Sequence, residues 1–335
     1  MLFSQPYLAL LGKGEGEKIL FIRYSALGDI LIATPFARAL KERYPKSELI
    51  WLAACPYERI LEGQPYIDGI LPWDRRLDNK AFFQLLRRIR TMRFTRIVSL
   101  QATDRGALMA LFSGVPQRFC TAGKWEFLYN GGKSSSFWET YDIPVPEGPG
   151  SGFVTTEKMI KSASDILGEV KPPFLLAAIG ASKEVKQWPA RNWVEFCRNA
   201  CDNGIPVVLA GDGAEELEKA EEICGSVSSD LLYDLVGRIP LSVLGGVVGM
   251  ASLVLAGDTG ILNMARIMGV PSMALLGPTP LPVGVGLMDP EQVFSADCSY
   301  LGCGKNHCRK ACLESVEAEN VFQAVATAWK SKFSQ

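Results

Sequence analysis

Three strand-to-helix turns of this chain carry side chains able to take a proton and to receive a departing diphosphate. The first is Arg23-Tyr-Ser-Ala-Leu-Gly-Asp29, which follows the apolar run Ile19–Ile22. That run reads as a strand and Ile30–Arg43 as a helix, so Asp29 stands at the carboxyl end of a strand, where open α/β sheets place their ligands. A carboxylate there can act as a general base. It can also do no more than cap the helix, since Asp favours helix N-termini. The second turn is Gly257-Asp-Thr-Gly260, between a strand at Leu253–Ala256 and a helix. Its glycines let a ligand approach the backbone, and the helix N-terminus presents N–H groups to an anion, so phosphate or diphosphate is the natural guest. The alternative is a well-made βα turn with an Asp cap. The third is Gly180-Ala-Ser-Lys-Glu-Val-Lys-Gln-Trp-Pro189, where Lys183 and Lys186 precede a helix start. A lysine there can neutralise a leaving diphosphate without a metal, or the stretch is a solvated loop over a buried tryptophan. A further turn, Leu209-Ala-Gly-Asp-Gly-Ala-Glu-Glu216, is also glycine-rich. Glu216, just inside its helix, can accept hydrogen bonds from ribose hydroxyls or remain a solvated helix residue.

Composition narrows what these groups can be asked to do. The chain has one histidine, His307, and nine cysteines in 335 residues, with net charge −1. One histidine excludes mechanisms built on two, the helical zinc-protease motif included. Its place in a cysteine-rich segment argues against a Ser-His-Asp triad. There is no Gly-x-x-x-x-Gly-Lys-Ser/Thr phosphate loop and no Asp-x-Asp triplet to present Mg²⁺ to a diphosphate. Chemistry therefore falls to carboxylates, lysines, arginines and helix termini. Near-neutral charge argues against a whole-protein drive onto nucleic acid or anionic lipid, and leaves local basic patches open. No apolar run is long enough to span a bilayer, and the first residues, 1–16, do not read as a signal peptide. With scattered cysteines in odd number, the expectation is a reducing cytoplasm and mostly free thiols.

The turns need a scaffold, and strand–helix alternation supplies one. Runs at Leu49–Ala53, Gly69–Leu71, Arg96–Leu100, Leu175–Ile179, Pro206–Ala210 and Ser272–Leu276 join the two already named as strands. Several are continuous and β-branched, as for strands covered on both faces. Helical patterns lie between them; in Lys80–Met92, Phe82, Leu85, Leu86, Ile89 and Met92 share one face. The pattern predicts an α/β fold of parallel, doubly wound sheets, and the length argues for two domains. Proline and glycine crowd 143–152, and a helix at Thr155–Leu167 and Lys171-Pro-Pro173 precede a second strand–helix series. The expected division is 1–170, 171–317 and a terminal helix, 318–335, packing back on the first domain.

Taken in order, these pieces resemble the bacterial heptosyltransferase family, glycosyltransferase family nine. The resemblance rests on Arg23-Tyr-Ser-Ala-Leu-Gly-Asp-Ile30 with Thr34-Pro35, on Lys186-Gln-Trp-Pro189 with Trp193, and on Gly257-Asp-Thr-Gly260 through Gly277-Pro-Thr279. Looser similarity covers Ile97–Gln101 with Arg105, and Cys312-Leu-Glu-Ser-Val316. It implies a GT-B fold, two Rossmann-like domains facing a cleft, the first holding the acceptor and the second the nucleotide-sugar. The implied reaction is an inverting, metal-independent transfer of a heptose or related sugar from ADP-heptose to a lipid-linked lipopolysaccharide core acceptor, with no cofactor. By the resemblance, Asp29 deprotonates the acceptor hydroxyl and Lys186 stabilises the leaving ADP. Ser182 lies near the diphosphate; Asp258, Thr259, Gly260 and Asn263 hold the nucleotide-sugar and Glu216 its ribose. Arg23, Ser25, Arg105 and Arg118 are the expected acceptor contacts, the last two read as loop residues after strands. The expected place of action is the cytoplasm, peripherally at the inner membrane. The chain departs from the family at Asn263, where a histidine is usual and where Asn can hydrogen-bond but cannot titrate, and at Arg266, where a small residue is usual. Two other readings stay open: a different nucleotide-sugar enzyme of this fold, such as an epimerase, and an inactive nucleotide-sugar-binding relative.

Two clusters remain. Arg75, Arg76, Arg87, Arg88, Arg90, Arg93 and Arg96 suit an acidic lipid-linked saccharide, Arg87 to Arg93 being alternatively just the solvated face of a helix. Cys298, Cys303, Cys308 and Cys312, with His307, have the ligand types for Zn²⁺ but not the paired Cys-x-x-Cys spacing of zinc ribbons; a structural metal or disulfide stands against buried or inert thiols.

Overall fold

The computed structural model describes residues 16–74, 79–101, 103–121, 125–131, 141, 143, 152–181, 183–279, 292–298, 302–304, 308 and 312–333. The chain divides into two compact units, Met1–Val154 and Thr155–Gln335.

In the first unit the strands β1 (Lys18–Ile22), β2 (Glu48–Ala54), β3 (Gly69–Trp73), β4 (Arg96–Ser99) and β5 (Gln117–Cys120) form a parallel sheet in the order β3-β2-β1-β4-β5. Ile19, Leu20, Phe21 and Ile22 are wholly buried, as continuous apolar strands covered on both faces must be. The expected helix Ile30–Arg43 is two: α1 (Leu27–Ile32) and α2 (Thr34–Arg43). Pro35 has no N–H to continue the first, and Thr34 Oγ1 donates to Leu31 O at 2.7 Å. After β3 come α3 (Asn79–Thr91) and, after β4, α4 (Asp104–Phe112). Leu85, Leu86 and Ile89 of α3 and Met109 and Ala110 of α4 share one core with Leu20, Ile22 and Leu52 of the sheet.

The second unit begins with α5 (Glu157–Leu167) and carries a parallel sheet, β11-β10-β9-β6-β7-β8. Its strands are β6 (Leu175–Ala178), β7 (Val207–Ala210), β8 (Leu232–Asp234), β9 (Leu253–Gly257), β10 (Ser272–Leu276) and β11 (Val293–Ser295). Helices α6 (Ala190–Asp202), α7 (Ala214–Ser226), α8 (Leu241–Met250), α9 (Gly260–Met268) and α10 (Ala318–Phe333) complete it. Helix α5, grouped by the sequence reading with the first domain, packs on α8 instead. A Cβ at Gly246 would fall 2.4 Å from Met159 O, so this close approach depends on glycine. Helix α10 packs on α6, and Val321, Phe322, Val325 and Ala326 are built into the second unit's own core beside Trp193 and Phe196.

Both sheets have a switch point, where successive strands stop adding on one side and resume on the other. In the first it lies between β1 and β4, in the second between β6 and β9. Beyond the carboxyl ends of those strand pairs lies the crevice in which doubly wound sheets bind ligands.

Candidate active site

The first crevice is built around Arg23, directly after β1. Its backbone carbonyl accepts from Trp51 Nε1 at 2.9 Å. Its guanidinium donates to Leu100 O, just past β4, at 2.7 Å and to Asp29 Oδ1 at 2.8 Å. The neighbouring residue ties the same loops together: Tyr24 N–H donates to Gln101 Oε1 at 3.2 Å, and the Tyr24 hydroxyl bonds Thr103 Oγ1. Asp29 is the third residue of α1, not its cap; Oδ2 accepts from the Ala26 N–H at 3.0 Å. This is half of a capping box, because the Ala26 side chain has nothing to reciprocate with. Capping and availability therefore coexist in Asp29. Two of the roughly four acceptor positions of the carboxylate are occupied, and its side chain stays 45% exposed against 21% for Arg23. The result is a carboxylate held in one orientation with an open side.

The other expected acceptor contacts separate. Ser25 is buried in the loop. Arg105 is exposed in the first turn of α4, at the carboxyl end of β4 and therefore at the crevice. Arg118 is not in a loop: it is the second residue of β5, opposite Ile97, and its Nη1 donates back to Val115 O at 2.8 Å. It sits toward the amino ends of the strands, away from the crevice. Arg96 is 2% exposed, held by Glu17 at 3.0 Å and by Gln117, so it serves the fold. Arg75 and Arg76 lie outside the described residues.

The second crevice centres on Asp258, after β9. One oxygen, Oδ2, accepts from Lys186 Nζ at 2.7 Å and from Thr279 Oγ1 at 2.8 Å. Three turns thus converge on it, following β6, β9 and β10. Asp258 does not cap α9; Thr259 does, its Oγ1 accepting from the Leu262 N–H at 3.4 Å. The Gly260 and Ile261 N–H groups of the first turn remain for an anion. A Cβ at Gly257 would meet the Lys186 carbonyl at 3.2 Å, so the glycine lets the lysine turn press against the strand end. Asn263 is buried and its Nδ2 donates to Thr259 O at 3.1 Å, bracing the same helix start. Ser182 lies outside the described residues.

Lys186 ends a short 3-10 turn, Glu184–Lys186, whose position is fixed from below. Trp188 is almost wholly buried; its Nε1 donates to Val316 O at 2.9 Å and its ring meets Trp193 edge-on at 4.8 Å. The stretch is therefore an anchored turn rather than a solvated loop. Gln187 Nε2 donates to Ala181 O at 3.2 Å and to Glu215 Oε2 at 3.0 Å, while Gln187 Oε1 accepts from Lys219 Nζ at 2.7 Å. Lys219 also reaches Ile179 O at 3.2 Å. Its burial pushes its pKa down, against the pull of Glu216, Glu215 and Glu222. Lys219 is absent from the motifs, and Thr279 enters them only within Gly277-Pro-Thr279, without a role of its own. The signal for Lys219 was its place beside Ala220 and Ile223 on the buried stripe of α7. Glu216 lies across the β6 and β7 turns, where a Cβ at Gly180 would fall 2.3 Å from its Oε1 and one at Gly213 2.8 Å from its Oε2. These glycines leave room for the carboxylate beside the crevice.

Cys298, Cys303, Cys308 and Cys312 are free thiols, and His307 lies outside the described residues. Among the described residues no group of three or more His, Cys, Asp or Glu is arranged to hold a metal. Cys312 packs on Gly277, where a Cβ would lie 3.0 Å from its own, and its turn touches Glu184–Lys186. Burial, then the nearby Cys308, Cys298 and Cys303, raise its pKa.

Two doubly wound parallel sheets, each with its charged groups at the switch point, define an α/β protein of the GT-B type. The chain belongs to glycosyltransferase family 9 (heptosyltransferase), whose profile matches residues 135–313, and it is a glycosyltransferase. It is 22% identical over 278 residues to the lipopolysaccharide core heptosyltransferase OpsX of Haemophilus influenzae, covering 77% of this chain and 78% of that one. Its fold is that of the E. coli ADP-heptose lps heptosyltransferase II, with a TM-score of 0.76 and 20% identity over 94% of this chain and 99% of that one. The E. coli heptosyltransferase WaaC, solved with ADP-2-deoxy-2-fluoro heptose, gives 0.71 at 16% identity over 93% and 99%.

Proposed function

We propose that the protein transfers a heptose, or a closely related sugar, from an ADP-sugar to a lipid-linked saccharide of the lipopolysaccharide core type, with inversion and without a metal. The observation that carries this reading is the opposite character of the two crevices. The second presents an ammonium and a helix N-terminus, the groups a leaving diphosphate needs. The first presents an oriented, half-exposed carboxylate, the group an attacking hydroxyl needs.

In this reading the second unit holds the donor. Lys186, fixed by Asp258, has N–H donors left for the diphosphate; the Gly260 turn supplies backbone N–H groups, and Thr259 and Asn263 hold that turn in shape. Ser182, four residues before Lys186 in the sequence, is assigned to the diphosphate, and Glu216 accepts from the ribose hydroxyls. Because Asp258 is engaged by Lys186 and Thr279, the ammonium takes the place a divalent cation would fill. The first unit holds the acceptor. Asp29 takes the proton of its hydroxyl as the oxygen forms a bond to the anomeric carbon and the bond to ADP breaks on the opposite face. Arg23 orients Asp29, Ser25 shapes the loop, and Arg105 meets an acidic group of the acceptor. Arg118 is withdrawn from this set by its position. The proposed place of work is the cytoplasmic face of the inner membrane, where such an acceptor is made. No helix among the described residues is long and apolar enough to cross a membrane.

A donor screen tests the reading. ADP-heptose and ADP are expected to raise the melting temperature and GDP- and UDP-sugars are not, with transfer to a core saccharide from ADP-heptose or a closely related ADP-sugar only. Stabilisation by a UDP- or GDP-sugar alone would contradict it. A free epimer formed without acceptor would point to an epimerase, and binding of every donor without turnover to an inactive relative.

A further inference from the structure

The outer surface of the first unit has a feature that neither crevice uses. Helix α3 is Asn-Lys-Ala-Phe-Phe-Gln-Leu-Leu-Arg-Arg-Ile-Arg-Thr and contains no acidic residue. With its apolar side against the sheet, its outer side shows Lys80, Arg87, Arg88 and Arg90 together with Phe83, 65% exposed. Beside it, α4 shows Leu108, Leu111 and Phe112, spaced i, i+3, i+4 and therefore one stripe. Arg90 Nε donates to Phe112 O at 2.8 Å and ties the two helices together at their carboxyl ends. At the other end of α4, Trp125 Nε1 bonds Asp104, and Phe127 on the adjoining turn is 70% exposed. Among the described residues, five of the nine large exposed hydrophobics lie here. Apart from Arg105 at the crevice, the two helices carry four cations, Lys80, Arg87, Arg88 and Arg90, and one carboxylate, Asp104, in a chain whose net charge is −1. A merely solvated helix face alternates signs and hides its phenylalanines. A second copy of this chain fits poorly, because a self-complementary contact would set arginine against arginine.

We propose that this α3–α4 face docks the protein on an anionic membrane surface, its Phe and Leu side chains entering the interface and its arginines meeting lipid phosphates. The inference rests on the reading of the acceptor as lipid-linked: docking would bring the acceptor-binding unit to the layer in which that lipid is anchored.

The test is co-sedimentation of the full chain with vesicles of phosphatidylcholine alone and of phosphatidylcholine with phosphatidylglycerol. Binding is expected on the anionic vesicles and is weakened by salt. The variant K80E/R87E/R88E should lower partition about a hundredfold at low salt. F83S/L111S/F112S, which touches only exposed side chains, should abolish what binding remains at high salt. Both variants should transfer sugar to a water-soluble core saccharide at the parent rate. Equal binding to both vesicle types, no binding, or binding unchanged in both variants would overturn the proposal. So would a dimer in sedimentation velocity that F83S/L111S/F112S dissociates, since a second copy would then be the occupant. Failure of the two readings is distinguishable. Vesicle binding without donor binding overturns the sugar-transfer reading and leaves the surface standing; transfer without vesicle binding does the reverse.

Discussion

The two switch-point crevices are made from the same materials and arranged in opposite ways. Each contains a cation–carboxylate pair at a short distance, 2.8 Å for Arg23–Asp29 and 2.7 Å for Lys186–Asp258. In the first, the arginine is the scaffold: it is the more shielded partner, spans to Leu100 O, and leaves the carboxylate facing solvent. In the second, the carboxylate is the scaffold: a single oxygen gathers Lys186 and Thr279, beside a helix N-terminus. An ion pair alone therefore does not define a function. What surrounds it decides which partner is presented and which one holds.

That contrast can be broken most severely at Asp29. Asp29→Asn keeps an acceptor atom for Arg23 or Ala26 and, at a half-exposed ion pair, should leave the fold intact. Transfer should nevertheless fall by about 10³-fold, with ADP binding unchanged by calorimetry. Lys186→Met comes next. It removes the presented charge and leaves Asp258 without its cation, so transfer should fall about 10²-fold. ADP affinity should drop about tenfold or more in the same protein.

Lys219→Met probes the support rather than the presented group. The Glu184–Lys186 turn should loosen and the donor KM rise about tenfold, with kcat little changed. The parent enzyme should show a pH signature here. Burial holds the Lys219 pKa below its ordinary value of 10.5. The ammonium is therefore lost, and with it the charge-assisted bonds to Gln187 and Ile179, at a lower pH than for a solvated lysine. Donor KM should begin to climb at a lower pH in the parent than in Lys219→Met. The sign for stability is opposite: between the lowered value and 10.5 the unfolded chain binds more protons, so this group adds stability as pH rises. The smallest effect is expected at Thr259→Ala, which removes the α9 cap and costs about 1 kcal/mol of stability in denaturant titration.

Much of this was legible in the sequence. The continuous apolar strands located both sheet centres, and the turns after β1, β6 and β9 located the charged groups, because strand ends in parallel sheets converge on the switch point. Strands β5, β8 and β11 were not foreseen. They are three or four residues long and lie at sheet edges, where no buried run of apolar residues is required. The partners of each site residue were also hidden. Nothing local to Gly257-Asp-Thr-Gly260 shows that Thr259 takes the cap and releases Asp258 to Lys186, 72 residues away. Arg118 was misplaced because an arginine early in a short strand looks like a loop residue until the strand's neighbour is known.

The central claim is that the labour is divided, with the carboxylate crevice serving the acceptor and the lysine crevice the donor. The direct measurement is ADP affinity and single-turnover transfer, taken together on Asp29→Asn and Lys186→Met. The account predicts that Asp29→Asn binds ADP like the parent and transfers about 10³-fold more slowly, whereas Lys186→Met is weakened in both. Transfer retained by Asp29→Asn, or ADP affinity lost equally in the two variants, would contradict it.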